Sequence, residues 1–170
     1  FWALPSAERA VTGLSEEMSP GDISELTLSS EVAFRVRFDG AAPPPAARYW
    51  RGPVLHDFDG YTWRRPRGVF HRKEPATLSG PAYDYSLMLE PTERTWVFAL
   101  DLPEEWPLRE FFQTYDYQLL SATPIHDPLT VRLRSRSRYA AGTHLGVTLR
   151  RSDTRLPADR NERSLELAER

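Results

Sequence analysis

The most informative absence from this 170-residue sequence is cysteine. Without cysteine the chain has no disulfides, thiolate metal ligands or thiol nucleophile, so packing alone must stabilise it. Charge of one sign is also scarce, because 22 basic and 24 acidic residues leave a formal net charge of -2. That balance gives no overall electrostatic case for nucleic acid or an anionic membrane as partner. No apolar run approaches the roughly 18 residues that a membrane helix needs.

Catalytic motifs are missing as well. The sequence contains no nucleophile elbow, HExxH, P-loop or paired-carboxylate motif. The stretch 56–59 offers an imidazole, His56, and two carboxylates, Asp57 and Asp59. As a metal site it is weak, because Asp57 points away from His56 in a strand and Asp59 suits a turn. We therefore predict no catalytic, cofactor-binding or metal-binding residue and no cofactor.

What the sequence does contain is alternation of apolar and polar residues over short segments. Val32, Phe34, Val36 and Phe38 alternate with arginines, as in a half-buried strand. Similar alternation occurs over 82–90, 95–101, 115–121 and 129–139, with turn signals between. Fifteen prolines argue against long helices. These patterns predict an all-β fold, an antiparallel β-sandwich or partly open barrel with minor helix, including one C-terminal helical stretch at 159–170.

The inward faces of these strands predict the core. On the segments 95–101 and 115–121, alternate residues are expected to share a face (Trp96, Phe98 and Leu100; Tyr115, Tyr117 and Leu119). The predicted core comprises Phe34, Val36, Phe58, Trp63, Tyr85, Leu87, Trp96, Phe98, Leu119 and Val131.

An aromatic-rich stretch, YWRGPVLHDFDGYTWRR at 49–65, surrounds one Asp59-Gly60 pair. Asp-Gly between two extended runs is the strongest short-range hairpin signal. If these two residues form the whole loop, Phe58 faces Tyr61 and the aromatic residues gather on one side. We favour burial of that side, each ring covering about 150–250 Å². The alternative is a solvent-facing platform that grips a sugar or peptide.

Arginines mark two further segments. Four of them stand on one face of a single strand (Arg132, Arg134, Arg136 and Arg138). Phosphate binding is the sharper interpretation, but no stacking aromatics accompany them, and we favour a solvated face paired to carboxylates of a neighbouring strand. The second segment, 64–81, is predicted to be a basic loop, most strongly charged over 64–73.

Five segments occur in an order similar to that of a known family: TGLSEEMSPGDISELTLSSEVAFRVRFDG, YWRGPVLHDFDGYTW, TWVFALDLP, YQLLSATP and LPADRN. They resemble the extracytoplasmic segment of bacterial membrane-anchored transglutaminase-like proteins of the TgpA type, which are protein-glutamine gamma-glutamyltransferases. The resemblance spans nearly the whole chain and is weakest at 64–81 and 138–153. It implies a parent in which membrane helices precede this segment and a papain-like core with a Cys-His-Asp triad follows. No residue here matches that triad.

The resemblance also implies a division of the chain and a role for it. Residues 1–22 are expected to lead in from the membrane, 23–156 to form the β-sandwich accessory domain, and 157–170 to lead into the transglutaminase core as a linker or helix. The expected function is a non-catalytic domain on the periplasmic side of the inner membrane, which positions the core of an acyltransferase or cysteine-protease-like parent and contributes to substrate access. The alternative is an independent binding module for cell-wall glycan, peptide or acceptor protein.

The expected partner is the chain's own catalytic core. Contact with the membrane is expected only through flanking helices, and neither nucleic acid nor a small-molecule ligand is expected. The candidate interface residues are Tyr49, Trp50, Leu165 and Leu167. The first two lie at the rim of the hairpin, and the two leucines lie among charged residues at the C-terminal end.

Overall fold

The computed structural model describes residues 15–20, 32–65, 75–157 and 162–168. Within these residues the chain forms twelve strands, a 3-10 turn at Pro45–Ala47 and two α-helices, α1 (Val147–Asp153) and α2 (Glu162–Ala168). The strands are β1 (Glu17–Met18), β2 (Phe34–Phe38), β3 (Trp50–Arg51), β4 (Asp57–Phe58), β5 (Trp63–Arg64), β6 (Thr77–Leu89), β7 (Trp96–Val97), β8 (Ala99–Leu100), β9 (Leu102–Glu105), β10 (Phe111–Gln113), β11 (Leu119–Ser121) and β12 (Leu129–Ala140).

All strand pairs in this part of the chain are antiparallel. The largest sheet has the order β2-β6-β12-β9, and three smaller sheets have the orders β1-β5-β4, β10-β11-β7 and β3-β8. β6 and β12 pair along almost their whole length, with one bulge between Arg136 and Arg138. The predicted antiparallel all-β class is confirmed, and no sheet among the described residues closes into a barrel.

The alternation predicted for the two long strands is confirmed in their burial. On β6, Tyr85, Leu87 and Leu89 are buried, whereas Met88 on the opposite face is exposed. On β12, Leu133 is likewise buried. One face of the four-stranded sheet therefore forms the floor of the core, as the period of two requires.

The segment 96–100 forms the layer above that floor, and here strict alternation fails. All five consecutive residues are at most 4% exposed. β7 pairs with β11, but β8 pairs with β3, so the chain changes sheet at Phe98. Trp96, Phe98 and Leu100 are in the core as predicted, but they do not share the face of one strand. Because the segment pairs in two different sheets, side chains on both of its faces are buried.

Tyr85 joins the two layers at the centre of the core. Its hydroxyl accepts a hydrogen bond from the backbone nitrogen of Leu100 at 2.8 Å and forms another with the hydroxyl of Ser135 at 3.0 Å. Tyr85 and Ser135 are both 0% exposed. Burial raises the pKa of Tyr85 to about 12. A polar bridge therefore fixes the register between β6, β12 and β8.

The predicted core is otherwise largely confirmed, but Phe58 and Trp63 do not belong to it. Leu119 and Val131 are buried, and Phe34 and Val36 pack against the core while half-buried. Trp63 was predicted inside but is 39% exposed. Its ring stacks on that of Phe58, with centroids 4.6 Å apart, in the separate sheet β1-β5-β4. The aromatic hairpin therefore builds a small cluster of its own.

The turn of the hairpin is also longer than predicted. Phe58 pairs with Trp63, so the loop contains four residues, 59–62, and the predicted Phe58–Tyr61 pairing is wrong. The carboxylate of Asp59 accepts hydrogen bonds from the backbone nitrogens of Tyr61 at 2.9 Å and Thr62 at 2.8 Å. Gly60 adopts φ 97°, which favours glycine. The hairpin is confirmed, but its register is set by the side chain of Asp59.

Two further expectations need correction. Tyr115 and Tyr117 lie in a turn before β11, because the strand begins only at Leu119. The basic loop ends earlier than residue 81, because β6 begins at Thr77. Its central residues, 66–74, lie outside the described part, as do most of the residues of the expected lead-in. Among the described residues, neither helix is long and apolar enough to cross a membrane.

Candidate functional site

The most chemically loaded cluster in the described structure surrounds His56, just before β4. Its backbone nitrogen donates to the carbonyl oxygen of Arg64 at 3.0 Å, which anchors it to the hairpin. Its side chain is only 16% exposed. Nε2 lies 3.1 Å from Oδ2 of Asp116, and Nδ1 lies 3.4 Å from Oδ1 of Asp153. We call His56, Asp116 and Asp153 the histidine cluster.

Asp116 is presented by the turn at 114–118. The backbone nitrogen of Thr114 donates to the carbonyl of Gln118 at 2.9 Å, and the nitrogen of Gln118 donates to the hydroxyl of Thr114 at 3.0 Å. Tyr117 adopts φ 65° to close the turn. The hydroxyl of Thr114 and the amide of Gln118, at 2.6 Å, both donate to the Asp116 carboxylate. The turn therefore holds this carboxylate in place through its own residues, independently of the contact with His56.

These contacts shift the pKa of both groups in the direction that favours their charged forms. The hydrogen bond with Asp116 is the main reason that the pKa of His56 is raised, against the opposing effect of burial. Burial acts to raise the pKa of Asp116, but hydrogen bonds from His56, Thr114 and Gln118 outweigh it and the pKa is lowered. Since a carboxylate faces each ring nitrogen, the arrangement is satisfied by a doubly protonated imidazolium between two anions.

The cluster also ties helix α1 to the hairpin. Asp153 is the last residue of α1, and Arg155 just beyond it donates to Asp57 at 3.0 Å. The hairpin supplies the cation, His56, of the first ion pair and the anion, Asp57, of the second. No residue of α1 is buried. Polar contacts are therefore prominent in holding this helix.

Metal binding does not suit the cluster. The carboxylates approach opposite nitrogens of the ring, and ligands that diverge in this way cannot meet on one ion. No other group of histidine and carboxylates among the described residues has the arrangement of a metal site. Asp57 pairs with Arg155, and Asp59 serves the turn, as its sequence position indicated.

The two predicted hairpin interface residues have different surroundings. Tyr49 is 57% exposed, and the guanidinium of Arg51 lies 5.6 Å from its ring centroid. Trp50 instead packs edge-on against Phe34 and Tyr85, with centroids 5.2 and 5.8 Å away. Tyr49 is therefore available for contact, whereas Trp50 belongs to the wall of the core. Their role as an interface stays a prediction.

Three of the four arginines predicted on one face of β12 pair with carboxylates, as we favoured. Arg132 pairs with Asp39 at 2.6 Å. Arg134 pairs with Asp84 at 3.1 Å, and Arg136 donates to Glu104 at 2.8 Å. These partners come from β6, β9 and the end of β2, so the ion pairs cross the sheet. At Arg138 the bulge shifts the register of β12 relative to β6.

Comparison with known proteins identifies the family. Residues 1–141 match the model of the TgpA N-terminal domain. The chain belongs to this family. A protein-glutamine gamma-glutamyltransferase of Pseudomonas aeruginosa is 34% identical over 171 residues. Two crystal structures of the periplasmic domain of TgpA from that organism, one bound to ethylmercury, superpose with TM-scores of 0.82 and 0.84 at 34% identity.

The coverage of these relatives is unequal. The match includes 99% of this chain but only 25% of the P. aeruginosa transferase. It includes 93% of this chain but 56% and 55% of the two solved periplasmic domains. The chain thus spans a quarter of the curated relative and just over half of its periplasmic domain. The similarity to that domain supports an extracytoplasmic accessory domain.

The C-terminal part of the chain, beyond the residues that match the TgpA N-terminal domain, exposes several large apolar side chains. They are Leu145, Val147, Leu156 and Leu167, exposed by 54%, 76%, 62% and 73%. Leu165 lies on α2, and its side chain is outside the described part. The sequence indicated an apolar surface only at Leu165 and Leu167. It missed Leu145, Val147 and α1, because α1 falls within 138–153, where the resemblance to the family is weak.

Proposed function

We propose that this domain is a non-catalytic extracytoplasmic scaffold that positions a transglutaminase-like core and contributes to substrate access. Two comparisons support the proposal: the match to the TgpA N-terminal domain and the similarity to a transglutaminase of which this chain covers a quarter. The chain contains no cysteine, so it supplies no thiolate nucleophile for the acyl transfer. Its contribution to the reaction is then geometric.

The observation that carries the proposal is the exposed apolar surface near the C-terminal end. Leu145, Val147, Leu156 and Leu167 are each more than half exposed. They follow one another along the C-terminal part of the chain, and exposed apolar surface marks protein interaction sites where it is contiguous. A following domain that covers them would bury about 600–1,500 Å², the usual range for contacts between domains. We call these four residues the C-terminal apolar surface.

The location follows from the same relationship. The relative's solved domain is periplasmic, and we propose that this domain occupies the same side of the inner membrane. Attachment to the membrane would come from flanking helices, and residues 1–22 would lead in from them. A domain between membrane anchor and catalytic core sets the height and orientation of that core, which affects access of substrate more than the chemical step.

Limited proteolysis of the full-length periplasmic region tests the docking. Replacing Leu165 and Leu167 with serine should loosen contact between the domains and speed cleavage near 156–161, because apolar burial is lost. The matched control is Leu108→Ser, since Leu108 is 81% exposed but lies between β9 and β10. Its cleavage rate near 156–161 should equal that of the parent.

Two results contradict the docking proposal. Fast cleavage at 156–161 in the unmutated protein would mean that the domains are merely tethered. Equal acceleration by Leu108→Ser would mean that the effect is general destabilisation. For catalysis, the purified chain should turn over neither glutamine-donor nor peptide substrates, and turnover that persists through further purification would refute the non-catalytic role.

A second candidate function is an independent binding module for glycan or peptide. It is favoured by the hairpin cluster, where Tyr61 and Trp63 are 54% and 39% exposed. Exposed aromatic faces are common in such sites. Calorimetric titration with soluble peptidoglycan fragments tests it, with Trp63→Ala as the variant. Saturable binding that the variant abolishes would support this function, whereas absence of heat change would leave the scaffold proposal alone.

A further inference from the structure

The geometry of the histidine cluster makes the attachment of α1 to the hairpin depend on the protonation of His56. A neutral imidazole has one donor and one acceptor nitrogen, so it can donate to only one of two flanking carboxylates. Both nitrogens of His56 face carboxylate oxygens, at 3.1 Å for Asp116 and 3.4 Å for Asp153. Loss of one proton therefore leaves one ring nitrogen, with its lone pair, directed at an anion.

Of the two carboxylates, Asp116 holds its position more firmly. Thr114 and Gln118 fix it within its own turn, and its side chain is 11% exposed. The side chain of Asp153 is 28% exposed and lies on a helix of seven residues with no buried residue. Isolated helices shorter than about 12 residues are marginal in water. When the imidazole becomes neutral, the contact that weakens is the one with α1.

We propose that His56 is a proton-dependent clasp that holds α1 against the hairpin and releases it when the imidazole loses its proton. The inference concerns this domain alone and does not require the proposed scaffold function. Release would free the residues that follow α1, including Leu156, one residue beyond Arg155. The clasp thus couples the protonation of a half-buried side chain to the order of the C-terminal segment.

The charged and titratable groups described around the cluster are consistent with release of α1 when His56 loses its proton. From the turn come Asp116 and Tyr115, from α1 Asp153, from the hairpin Asp57 with its partner Arg155, and Arg65, which acts on Tyr115. Burial raises the pKa of Tyr115 to about 12, so this ring, 5.6 Å from that of His56, stays neutral. The Asp57–Arg155 pair stays charged and holds α1 more weakly, since both side chains are more than half exposed.

The pH window follows from the two shifted groups. The pKa of His56 is raised above its ordinary 6.5, so its stabilising contact is complete below pH 6.5 and is lost as pH rises through the raised value. The pKa of Asp116 is lowered below its ordinary 3.8, so its contact is complete above pH 3.8 and is lost as pH falls through the lowered value. The clasp is closed between these limits.

The test uses the 170-residue chain and nuclear magnetic resonance. Imidazole signals give the titration midpoint of His56, and backbone amides of α1 report on the helix between pH 5 and 9. We expect the α1 amides to titrate with the midpoint of His56. Asp153→Asn should lower that midpoint while leaving the core signals unchanged. By linkage, each pH unit by which the midpoint falls corresponds to a tenfold smaller preference of the protonated imidazole, over the neutral one, for the docked helix.

A second variant separates charge from hydrogen bonding. His56→Gln retains a donor but carries no charge, so it should remove the pH dependence of α1 and lower its amide protection factors at pH 6 by about 3- to 10-fold. The matched control is His126→Gln, because His126 also pairs with a carboxylate, Glu93 at 2.7 Å, but is 62% exposed and remote in sequence from α1. That variant should leave α1 unchanged.

Two outcomes overturn the inference. In the first, the α1 amides do not follow the midpoint of His56. In the second, Asp153→Asn leaves that midpoint where it is in the parent. Either would show that α1 is held by contacts that do not respond to the histidine.

Discussion

The buried hydroxyl of Tyr85 provides the sharpest test of how the two layers are joined. Tyr85→Phe removes one oxygen from a site that is 0% exposed and preserves the ring that contacts Trp50 and Phe38. The backbone nitrogen of Leu100 then has no acceptor, and the hydroxyl of Ser135 loses its bond. Leaving a buried polar group unpaired costs about 1–3 kcal/mol.

Two groups are affected, so the free energy of unfolding should fall by about 2–4 kcal/mol. For a domain of this size that lowers Tm by about 5–15 °C. Urea unfolding followed by tryptophan fluorescence measures the change, since the chain has five tryptophans. The control is Tyr49→Phe, which should change stability by less than about 0.5 kcal/mol because Tyr49 is exposed.

A double variant checks the assignment. Adding Ser135→Ala to Tyr85→Phe removes one of the two unpaired groups, so the pair should cost no more than Tyr85→Phe alone. The reasoning is refuted if Tyr85→Phe is as stable as Tyr49→Phe, or if the costs of Tyr85→Phe and Ser135→Ala simply add.

Three further predictions concern packing, backbone and charge. Trp96→Ala should destabilise by about 3–5 kcal/mol and Trp63→Ala by clearly less, because only Trp96 is buried; equal melting temperatures would contradict the separate hairpin cluster. Gly80→Ala should destabilise by about 1 kcal/mol or more, since φ is 72° and a Cβ would lie 3.1 Å from Cδ of Arg138. Gly40→Ala, with no neighbour within 4 Å, should not, and similar denaturation curves for the two would count against this backbone geometry. Arg134→Gln should cost less than about 1 kcal/mol, and the loss should disappear in 1 M salt; a salt-independent loss would mean that packing dominates.

The long strands were predictable because their environment is uniform. β6 over 83–89 and β12 over 129–135 each have one face on the core, so apolar and polar residues alternate there. The pairing of the β12 arginines with carboxylates was also predictable, because charged side chains on the outer face of a sheet meet those of the next strand. Where one strand serves one sheet, the sequence pattern and the structure agree.

The errors arise where a local interaction overrides the pattern. The Asp59 side chain accepts hydrogen bonds from two backbone nitrogens and lengthens the turn, which replaces the predicted Phe58–Tyr61 pairing with Phe58–Trp63. The hairpin joins β1 in a sheet of its own, so Trp63 stacks on Phe58 outside the main core. At Phe98 the chain changes sheet, so burial is continuous instead of alternating. Neither feature has a periodic signature.

The histidine cluster could not be found from sequence for a different reason. His56 is 60 residues from Asp116 and farther still from Asp153, and the two acidic residues lie in a turn and at the end of a short helix. Nothing in the spacing connects them. His56 attracted attention only through its neighbours Asp57 and Asp59, which serve other contacts. The fold brings the cluster together, so tertiary structure was required to see it.

The scaffold proposal is tested most directly by hydrogen exchange in the 170-residue chain and in the full-length periplasmic region, compared under the same conditions. If a following core docks on the C-terminal apolar surface, amides over 145–157 and 162–168 should exchange more slowly in the longer protein, while those of β6 and β12 remain unchanged. Identical exchange over 145–168 in the two proteins would contradict docking and with it the positioning role.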